Sequence, residues 1–398
     1  MTEPNSKISL EGIYLYINIP FCLKRCRYCY CTLMFPETDL LSWKKNLDSY
    51  VDALVKEINS YNGSEKRILG ISFGGGTPSL LSVSQFEQIL DALRNSCPVL
   101  DSKAQVSIEV FPGTKTRQDL EAIRRLGVNR ASIGAQSFDD DELRFFGRAH
   151  DVETFYKTYH DLRSAGFNDL NIDLLFGLPN TSLNKWEKSV DSALELKPEH
   201  LTAYYWYPTL GSDFYSKIAD GSLSGPDRET SISQYQYAID ECASHGLYNY
   251  WDFNFARDKK HEYAIERDTF RFFPLKGFGL GAWSQENACY TANFLQLDSY
   301  LLDPLKKQQQ KCTADYYTMR ILMFPQGLVF KEFKEFFNQD WSPEIIGTEL
   351  RESLNKWHLE GVLDWDQEGI RFNRKHLART TVYLAELHTK CLYCPTSK

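Results

Sequence analysis

Residues 14–31 read YLYINIPFCLKRCRYCYC and decide the fold of the chain. The first six of these residues are mostly aromatic and β-branched and predict a strand. The strand leads directly into Cys22, Cys26 and Cys29, at a spacing of C-x₃-C-x₂-C, and Cys31 follows. Cysteines that pack in a hydrophobic core are scattered along a sequence, whereas these four lie within ten residues. The stretch therefore predicts a strand that ends in a metal-binding loop.

Short β-branched runs alternate with amphipathic stretches throughout the first half of the chain. Strands are predicted at 14–19, 68–73, 105–110, 130–134, 170–175 and 201–205, and helices at 43–60, 84–94, 118–126, 154–165 and 186–196. Gly127 and Gly166 follow two of these helices as typical C-terminal stops. The alternation predicts right-handed parallel βαβ units. About six units favour an α/β fold with a partial parallel (β/α)₆ barrel, whose chemistry collects at the carboxyl ends of the strands.

The second half of the chain has a different character. A stretch rich in Gly, Ser, Pro and Asp at 210–227 breaks the pattern before a helix at 231–245 and an aromatic, strand-like segment at 248–257. The sequence GFGLGAW at 277–283 predicts a tight glycine turn. Helices at 316–323, 331–337 and 346–360 and a β wing at 363–372 predict a small winged-helix-like domain that serves as a lid or docking element.

These patterns predict five segments. They are a tail at 1–12, the barrel core at 13–245, a barrel extension at 246–313, the small C-terminal domain at 314–390 and a tail at 391–398. Cys391 and Cys394 form an isolated C-x₂-C, which we interpret as part of a disordered tail.

Composition excludes several classes of protein. A net charge of −8, with basic pairs but no basic stripe, argues against a nucleic-acid partner. The first ten residues lack the apolar core of a signal peptide, and no apolar run reaches the length of a membrane span. We therefore expect a cytoplasmic protein without disulfides. The scattered cysteines are interpreted as packing residues: Cys97, Cys242, Cys289 and Cys312.

The cysteine loop has two candidate metals. Three thiolates can bind three irons of a [4Fe-4S] cubane and leave the fourth iron open, whereas four-cysteine sites are closed. Zinc is the alternative, but zinc sites usually pair two cysteine halves or add histidines, and no second half lies nearby. The favoured assignment is a [4Fe-4S] cluster on Cys22, Cys26 and Cys29.

Further motifs accompany the cysteine loop. They are YINIPFC at 16–22, Tyr28, Cys31, GGGTP at 74–78, IGAQSF at 133–138 and NIDLLFGLP at 171–179. Together they resemble the radical S-adenosylmethionine (SAM) superfamily, and within it the oxygen-independent coproporphyrinogen III oxidase family. That family includes class C methyltransferases and haem chaperones. The resemblance implies that SAM binds the open iron and is cleaved to a 5′-deoxyadenosyl radical.

The resemblance also implies the cofactor-binding residues. Gly75 would contact a first SAM, and a second SAM site would include Gly76, Thr77, Gln136, Arg148 and Asp173. Glu109, at a strand end, suits the ribose hydroxyls or the amino group of SAM. The remaining SAM contacts would be Tyr16, Tyr28, Tyr207 and Trp283. Cys31 is interpreted as accessory rather than as a ligand.

Structural roles remain open for the same residues. The glycines could form only a tight turn, and Arg148 and Asp173 could form a strand-end salt bridge. Gln136 could cap a helix, and Tyr207 and Trp283 could be core aromatics.

Three functional hypotheses fit the resemblance. The leading hypothesis is methyl transfer from a second SAM to an sp² carbon of an aromatic, heteroaromatic or tetrapyrrole substrate. The alternatives are oxidative decarboxylation, as in the coproporphyrinogen oxidases, and haem carriage without turnover. A flavodoxin- or ferredoxin-type protein would donate the electron. Aromatic residues between 204 and 255 suggest a large aromatic substrate pocket.

Departures from the related families weaken two of these hypotheses. The oxidases carry a long segment ahead of the cysteine loop, whereas 21 residues precede Cys22. The chaperones carry Asp in place of Tyr30 and an aromatic residue in place of Cys31. They also carry a His-Asn-x-x-Tyr-Trp stretch, whose histidine is missing from RDTFRFF at 267–273.

Overall fold

The predicted βα repeats are present, and their strands form the middle of a larger sheet. The computed structural model describes residues 12–31, 34–36, 40–286, 289–324, 326–379 and 381–384. The strands are β1 (Gly12–Ile19), β2 (Arg67–Gly75), β3 (Val99–Val110), β4 (Arg130–Gln136), β5 (Leu170–Phe176), β6 (His200–Tyr205), β7 (Tyr248–Trp251), β8 (Asn254–Ala256), β9 (Leu275–Phe278), β10 (Trp283–Glu286), β11 (Cys289–Asn293), β12 (Lys307–Lys311), β13 (Leu328–Val329), β14 (Leu363–Trp365) and β15 (Gly369–Phe372). The helices are α1 (Leu40–Asn59), α2 (Val83–Ser96), α3 (Arg117–Arg125), α4 (Asp140–Phe146), α5 (Val152–Ser164), α6 (Leu183–Glu195), α7 (Asp213–Ala219), α8 (Arg228–Ser244), α9 (Ala264–Phe270), α10 (Leu297–Leu302), α11 (Ala314–Leu322), α12 (Phe330–Phe337) and α13 (Thr348–Leu359).

Twelve strands form the large sheet, in the order β12-β11-β10-β9-β1-β2-β3-β4-β5-β6-β8-β7. Strands β1 to β6 are parallel neighbours in chain order, as the repeats predict, and β9 pairs in parallel with β1. Antiparallel strands extend both edges. The prediction of a partial parallel (β/α)₆ barrel is therefore confirmed, and the carboxyl ends of its strands open to one side.

The two faces of the barrel strands differ in polarity. Side chains alternate between the faces of a strand. On β4 and β5 the outward side chains, such as Ile133 and Ile172, are completely buried in a hydrophobic core. The inward side chains, such as Ser132 and Asn171, line a cavity. Because the outward face is covered by helices, the barrel is held from outside and its polar lumen is left for ligands.

Polar caps define where the surrounding helices begin. Ser82 and Thr116 form capping boxes at the starts of α2 and α3. Gly127 and Gly166 follow α3 and α5 with φ of 109° and 90°, as expected for helix stops. The predicted break at 210–227 nevertheless contains α7, and α4 was not predicted. Both helices have seven residues, too few for a clear apolar period.

The small C-terminal domain contains the predicted helices and a three-stranded antiparallel sheet, β13-β15-β14. It has its own hydrophobic cluster, which also takes in Tyr250 and Trp251 of β7. The proposed boundaries at residues 245, 313 and 390 stay predictions. The tail at 1–12, apart from Gly12, and the tail at 391–398 lie outside the described residues, as do Cys391 and Cys394. Among the described helices, none has the length and apolar character needed to cross a bilayer.

Candidate functional site

The cysteine loop is held at the carboxyl end of β1 by backbone hydrogen bonds. Cys22 N donates to Met34 O over 3.0 Å, and Arg27 N donates to Phe146 O at the end of α4 over 2.8 Å. Phe214 N of α7 in turn donates to Arg27 O over 3.0 Å. Two of the helices that were not predicted, α4 and α7, therefore hold the loop between them.

The loop thiols occupy different environments. Cys26 is 8 % exposed, and Cys22 and Cys29 are half-buried. Burial raises the pKa of Cys22 to about 12. A hydrogen bond with Cys31 lowers the pKa of Cys29 to about 7, with help from the nearby charges of Arg25 and Arg148. Cys31 thus contacts a predicted ligand, which agrees with an accessory role.

Arg148 connects the cysteine loop to the barrel. Its Nη1 donates to Cys26 Sγ over 3.6 Å and to Tyr28 Oη over 3.2 Å, while Nη2 donates to Gly134 O over 2.7 Å. The guanidinium lies 4.2 Å from the centre of the Phe111 ring. Arg148 forms no salt bridge with Asp173 within the described part of the chain, and its buried Nε has no described partner.

Gly74, Gly75 and Gly76 form a cradle where β2 ends. A Cβ on Gly74 would lie 2.7 Å from Glu109 Oε1 and 3.0 Å from Tyr16 Oη. A Cβ on Gly76 would lie 2.7 Å from Phe21 O. Gly75 has a φ of 103°, which favours glycine. The backbone is therefore bare on the side that faces Tyr16 and Glu109.

Thr77, directly after the cradle, is 2 % exposed and faces the thiols. Its Oγ1 lies 3.0 Å from Cys22 Sγ, within hydrogen-bonding distance. The side chain thus contacts the cysteine loop rather than the open lumen. Its predicted contact with a second SAM stays a prediction.

A cavity of about 180 Å³ fills the lumen beside this cradle. Its lining is Ser107, Ile108, Glu109, Arg130, Ser132, Gln136, Asn171, Asp173, Thr202, Tyr204 and Tyr263. The structure therefore places Glu109, Gln136 and Asp173 around one space. Tyr207 and Trp283 are not among the described residues that line it.

Gln136 reaches the lumen through an unusual backbone. The pairing of β4 with β5 shifts register between Gly134 and Gln136, and Gln136 has a φ of 70°. Left-handed backbone at a residue other than glycine is strained and is typical of functional sites. The Gln136 Nε2 lies 2.8 Å from where a Cβ of Gly134 would be. A bulge and a glycine together place this amide at the mouth of the cavity.

Two carboxyl groups, those of Glu109 and Asp173, line the lumen, and that of Glu266 lies nearby. Burial, with the nearby charges of Asp173 and Glu266, raises the pKa of Glu109 to about 8. Burial and Asp173 raise the pKa of Glu266 to about 7. Asp173 accepts from Ser132 Oγ and Asn171 Nδ2, each over 2.7 Å, while burial raises its pKa. The lumen is therefore suited to ligands that donate hydrogen bonds.

Some lumen residues were not predicted. Arg130 is 1 % exposed, and its Nε and Nη2 have no hydrogen-bond partners among the described residues. Arg130 and Ser132 repeat every second position along β4, as Asn171 and Asp173 do on β5, so a period-two polar pattern was available as a signal. Glu266 lies on α9, outside the repeats, where no sequence signal indicates it.

The predicted aromatic contacts divide into two groups. Tyr16 Oη donates to Asn18 Oδ1 over 3.2 Å and lies at the glycine cradle, and Tyr28 bonds to Arg148. The ring centres of Tyr207 and Tyr205 are 6.3 Å apart, and those of Trp283 and Tyr290 are 6.0 Å apart. Tyr207 and Trp283 occupy packing positions in this structure.

The prediction of a large aromatic pocket is wrong for most of the residues expected to line it. Six of these residues are buried in hydrophobic clusters: Tyr205, Trp206, Tyr250, Trp251, Phe253 and Phe255. Tyr204 alone among the expected aromatic residues lines the described lumen. The lumen is polar because the aromatic side chains of this region point outward or lie on the β7–β8 hairpin.

The residues present fit a cubane and a SAM molecule. Within the described residues, no group of three His, Cys, Asp or Glu side chains could hold a single metal ion. The ligands of a cubane each bind a different iron, so three spaced thiols on one loop remain suited to a cluster. The bare glycine cradle and the unpaired Arg148 Nε border the same loop.

Known proteins are similar to this chain. Residues 16–193 match the profile of the radical SAM superfamily. The haem chaperone HemW of Bacillus subtilis is 30% identical over 291 residues, which are 72% of this chain and 74% of that protein. The chain belongs to the radical SAM superfamily. As in that superfamily, a [4Fe-4S] cluster and SAM are implied as cofactors.

Two coproporphyrinogen oxidases are also similar to this chain. The oxygen-independent coproporphyrinogen III oxidase of Bradyrhizobium diazoefficiens is 31% identical over 301 residues, 72% of this chain and 65% of that protein. The solved structure of coproporphyrinogen III oxidase (HemN) from Escherichia coli has a TM-score of 0.76 at 24% identity and covers 94% of this chain and 89% of its own. The chain is therefore a member of the coproporphyrinogen oxidase-like and haem chaperone-like family, and the solved structure shows the same fold.

Proposed function

We propose that this radical SAM protein is an enzyme that acts on a tetrapyrrole, by oxidative decarboxylation of a propionate side chain. The observation that carries the proposal is the continuity between the thiols and the polar lumen. Arg148 contacts Cys26 Sγ at one end and the strand-end carbonyl of Gly134 at the other. Cys22, Cys26 and Cys29 would hold the cluster, and the lumen beside them would hold SAM.

The cluster and SAM, when bound, supply homolytic cleavage of the sulfonium bond. The contribution of the chain is binding and orientation. The backbone of Gly75 would contact the methionyl group, and Tyr16 and Glu109 would contact the amino group or ribose. The half-buried Tyr28 would limit access of water from the loop side. An electron donor of the flavodoxin or ferredoxin type is part of the proposal.

A second SAM is a finer part of the proposal. Gln136 and Asp173 line the cavity, and Arg148 has one unpaired nitrogen that a carboxylate could engage. Gly76 and Thr77 complete the set that the resemblance implies. The cytoplasmic location expected from the sequence also stays a prediction.

Decarboxylation is preferred to methyl transfer, which was the leading hypothesis from the sequence. The relatives named above are haem chaperones and coproporphyrinogen oxidases, and none of them is a methyltransferase. Cys31 favours the oxidase-type reaction, because the oxidases keep a cysteine at this position. Its hydrogen bond with Cys29 shows that the extra thiol contacts the site.

Haem carriage is the second candidate. The relation to the Bacillus subtilis haem chaperone, over 74% of that protein, favours it. The departures at Tyr30, at Cys31 and at 267–273 weigh against it. The two candidates share a tetrapyrrole ligand and differ in whether SAM is consumed.

Product analysis separates the candidates. The reconstituted protein is incubated without oxygen with a chemical reductant, SAM and coproporphyrinogen III. An electron acceptor is also added, because each propionate that becomes a vinyl group would give one hydrogen atom to the 5′-deoxyadenosyl radical, lose carbon dioxide and pass one electron to that acceptor. The proposal therefore predicts 5′-deoxyadenosine together with the matching loss of mass from the tetrapyrrole by mass spectrometry. S-adenosylhomocysteine with a methylated product would establish methyl transfer instead. Stoichiometric haem binding without SAM consumption would establish carriage.

A further inference from the structure

Glu57 is a buried carboxylate on α1 that lies outside the lumen. It is 2 % exposed and accepts hydrogen bonds from three other segments. Gly279 N donates over 2.8 Å, Asn293 Nδ2 over 3.0 Å and Tyr300 Oη over 2.7 Å, and Lys307 forms an ion pair with it. Four donors fix the position of this carboxylate. Because Gly279 N is one of them, the carboxylate also fixes the turn that contains Gly279.

Tyr50, two helical turns before Glu57 on the same helix, holds the next residue of that turn. Leu280 N donates to Tyr50 Oη over 3.0 Å, and Tyr50 Oη donates to Asn18 O over 2.5 Å. Gly279 has a φ of 101°, and a Cβ there would overlap the Tyr50 hydroxyl. Glu57 and Tyr50, named here the α1 latch, thus accept hydrogen bonds from two consecutive residues of the glycine-rich turn, Gly279 and Leu280.

Asn18 connects the turn to the glycine cradle. Asn18 Nδ2 donates to Leu280 O over 2.5 Å, and Asn18 Oδ1 accepts from Tyr16 Oη over 3.2 Å. The same Oδ1 occupies the space that a side chain on Gly75 would need. A continuous set of contacts therefore runs from Glu57 through Leu280 and Asn18 to Gly75.

We propose that the α1 latch positions the Gly75 end of the SAM site. Without Glu57 the Gly279 turn loses its main acceptor, and Asn18 loses the fixed carbonyl that orients its amide. The Asn18 oxygen would then leave its place against Gly75, and the cradle would lose its shape. The assignment rests on the proposed binding of SAM at that cradle. Glu57 and Tyr50 act through Asn18 and are positioning residues.

The test measures SAM affinity in protein that retains its cluster. Glu57→Ala and Tyr50→Phe are reconstituted without oxygen, and iron per chain is measured first. Iron content should equal that of the parent protein, while the Kd for SAM rises by about tenfold in Glu57→Ala, within the usual range of coupling between two sites. The change that SAM causes in the electron paramagnetic resonance spectrum of the reduced cluster should require correspondingly more SAM. Tyr50→Phe, which retains the ring, should show a smaller change in the same direction.

Glu286→Gln is the matched control, because Glu286 forms an exposed ion pair with Lys66 at the end of β10. It should bind SAM as the parent does. Parent-like SAM affinity in both latch variants, even with lower thermal stability, would overturn the proposal, since Glu57 would then be structural only. If Glu57→Ala does not fold, Tyr50→Phe decides by the same criterion. Absence of SAM binding by the parent protein would overturn the proposed function itself.

Discussion

At the scale of single residues, the site depends on alternation along the strands. On β5, Asn171 and Asp173 face the lumen, while Ile172 and Leu174 are completely buried in the core. A one-residue shift in register would exchange these faces, so the apolar outer side fixes the polar lumen. The polar residues then change one another's protonation, because they share a confined space.

The first prediction concerns the thiols. Replacing Cys22, Cys26 or Cys29 by Ala should abolish the brown colour and remove most of the iron, because each thiolate would bind a different iron. Cys31→Ala is the matched variant, and it should retain the iron. Iron analysis and visible absorption after reconstitution measure the iron content and the colour of each variant. A cluster that survives in Cys26→Ala would contradict the assignment.

The second prediction concerns Glu109, whose folded-state pKa of about 8 lies above its ordinary value of 4.5. Folding therefore favours the protonated form, and stability falls as pH rises from about 4.5 to about 8. Glu109→Gln should remove this loss. In protein without SAM, it should be more stable than the parent by about 1 kcal/mol at pH above 8 and equal to it below pH 4.5. This is less than the full shift implies, because the Glu109 side chain is solvent-exposed.

Thermal unfolding at several pH values measures the difference. Glu352→Gln, an exposed position on α13, is the control and should show no pH-dependent difference from the parent. A constant offset of Glu109→Gln across the whole pH range would show that Glu109 does not titrate in this way.

At the scale of secondary-structure elements, the ends of the strands carry the function. The end of β1 leads into the cysteine loop, the end of β2 into the glycine cradle, and the end of β4 into the bulge before Gln136. The clamping helices α4 and α7 then fix the loop. Since parallel strands bring their carboxyl ends to one edge, motifs that are far apart in the chain meet there.

The third prediction tests the cradle. In Gly76→Ala the new Cβ would lie 2.7 Å from Phe21 O and 2.8 Å from Ile19 O, so the end of β1 must move. We expect the protein to be destabilised by about 2 kcal/mol and to lose most SAM binding. Gly225→Ala is the control, because its Cβ has only a contact at 3.8 Å. Normal SAM affinity in Gly76→Ala would show that the cradle tolerates displacement.

At the scale of the whole molecule, the small C-terminal domain is joined to the edge of the large sheet by Arg320. This residue of α11 is 1 % exposed. Nη1 donates to Gln285 Oε1 over 2.8 Å, Nη2 donates to Thr269 O over 2.5 Å, and the guanidinium lies 4.3 Å from the centre of the Phe270 ring. One planar cation therefore satisfies buried acceptors on two neighbouring segments of the barrel extension.

The fourth prediction removes that connection. Arg320→Met keeps much of the side-chain volume but removes the Arg320 donor from Gln285 Oε1 and one of the donors from Thr269 O, which still accepts from Gln285 Nε2 and Phe272 N. We expect a loss of about 2 kcal/mol in the free energy of unfolding. Arg320→Lys should not restore it, because an ammonium cannot reach both acceptors. Urea unfolding gives the value. Lys331→Met, at an exposed position of α12, should change it by less than about 0.5 kcal/mol; equal effects would contradict the role of Arg320.

Much of the fold follows from local patterns. The six barrel strands and the longer helices were predicted because hydrophobic periodicity and caps are local properties. Helices α4 and α7 were missed because seven residues carry too little periodicity. The candidate site was predicted mainly through motifs, and the structure brings Glu109, Gln136 and Asp173 together while leaving Tyr207 and Trp283 in packing positions.

The sequence by itself determined the cysteine loop, the parallel βα order and the polar alternation along the strands, because each depends on residues close together in the chain. Tertiary structure alone decided which distant side chains support the site. Glu57 and Gly279 are 222 residues apart, and Glu266 on α9 changes the pKa of Glu109 in the lumen. Such contacts depend on how helices and turns pack across the sheet, and pairing energies of that kind leave no periodic trace in a single sequence.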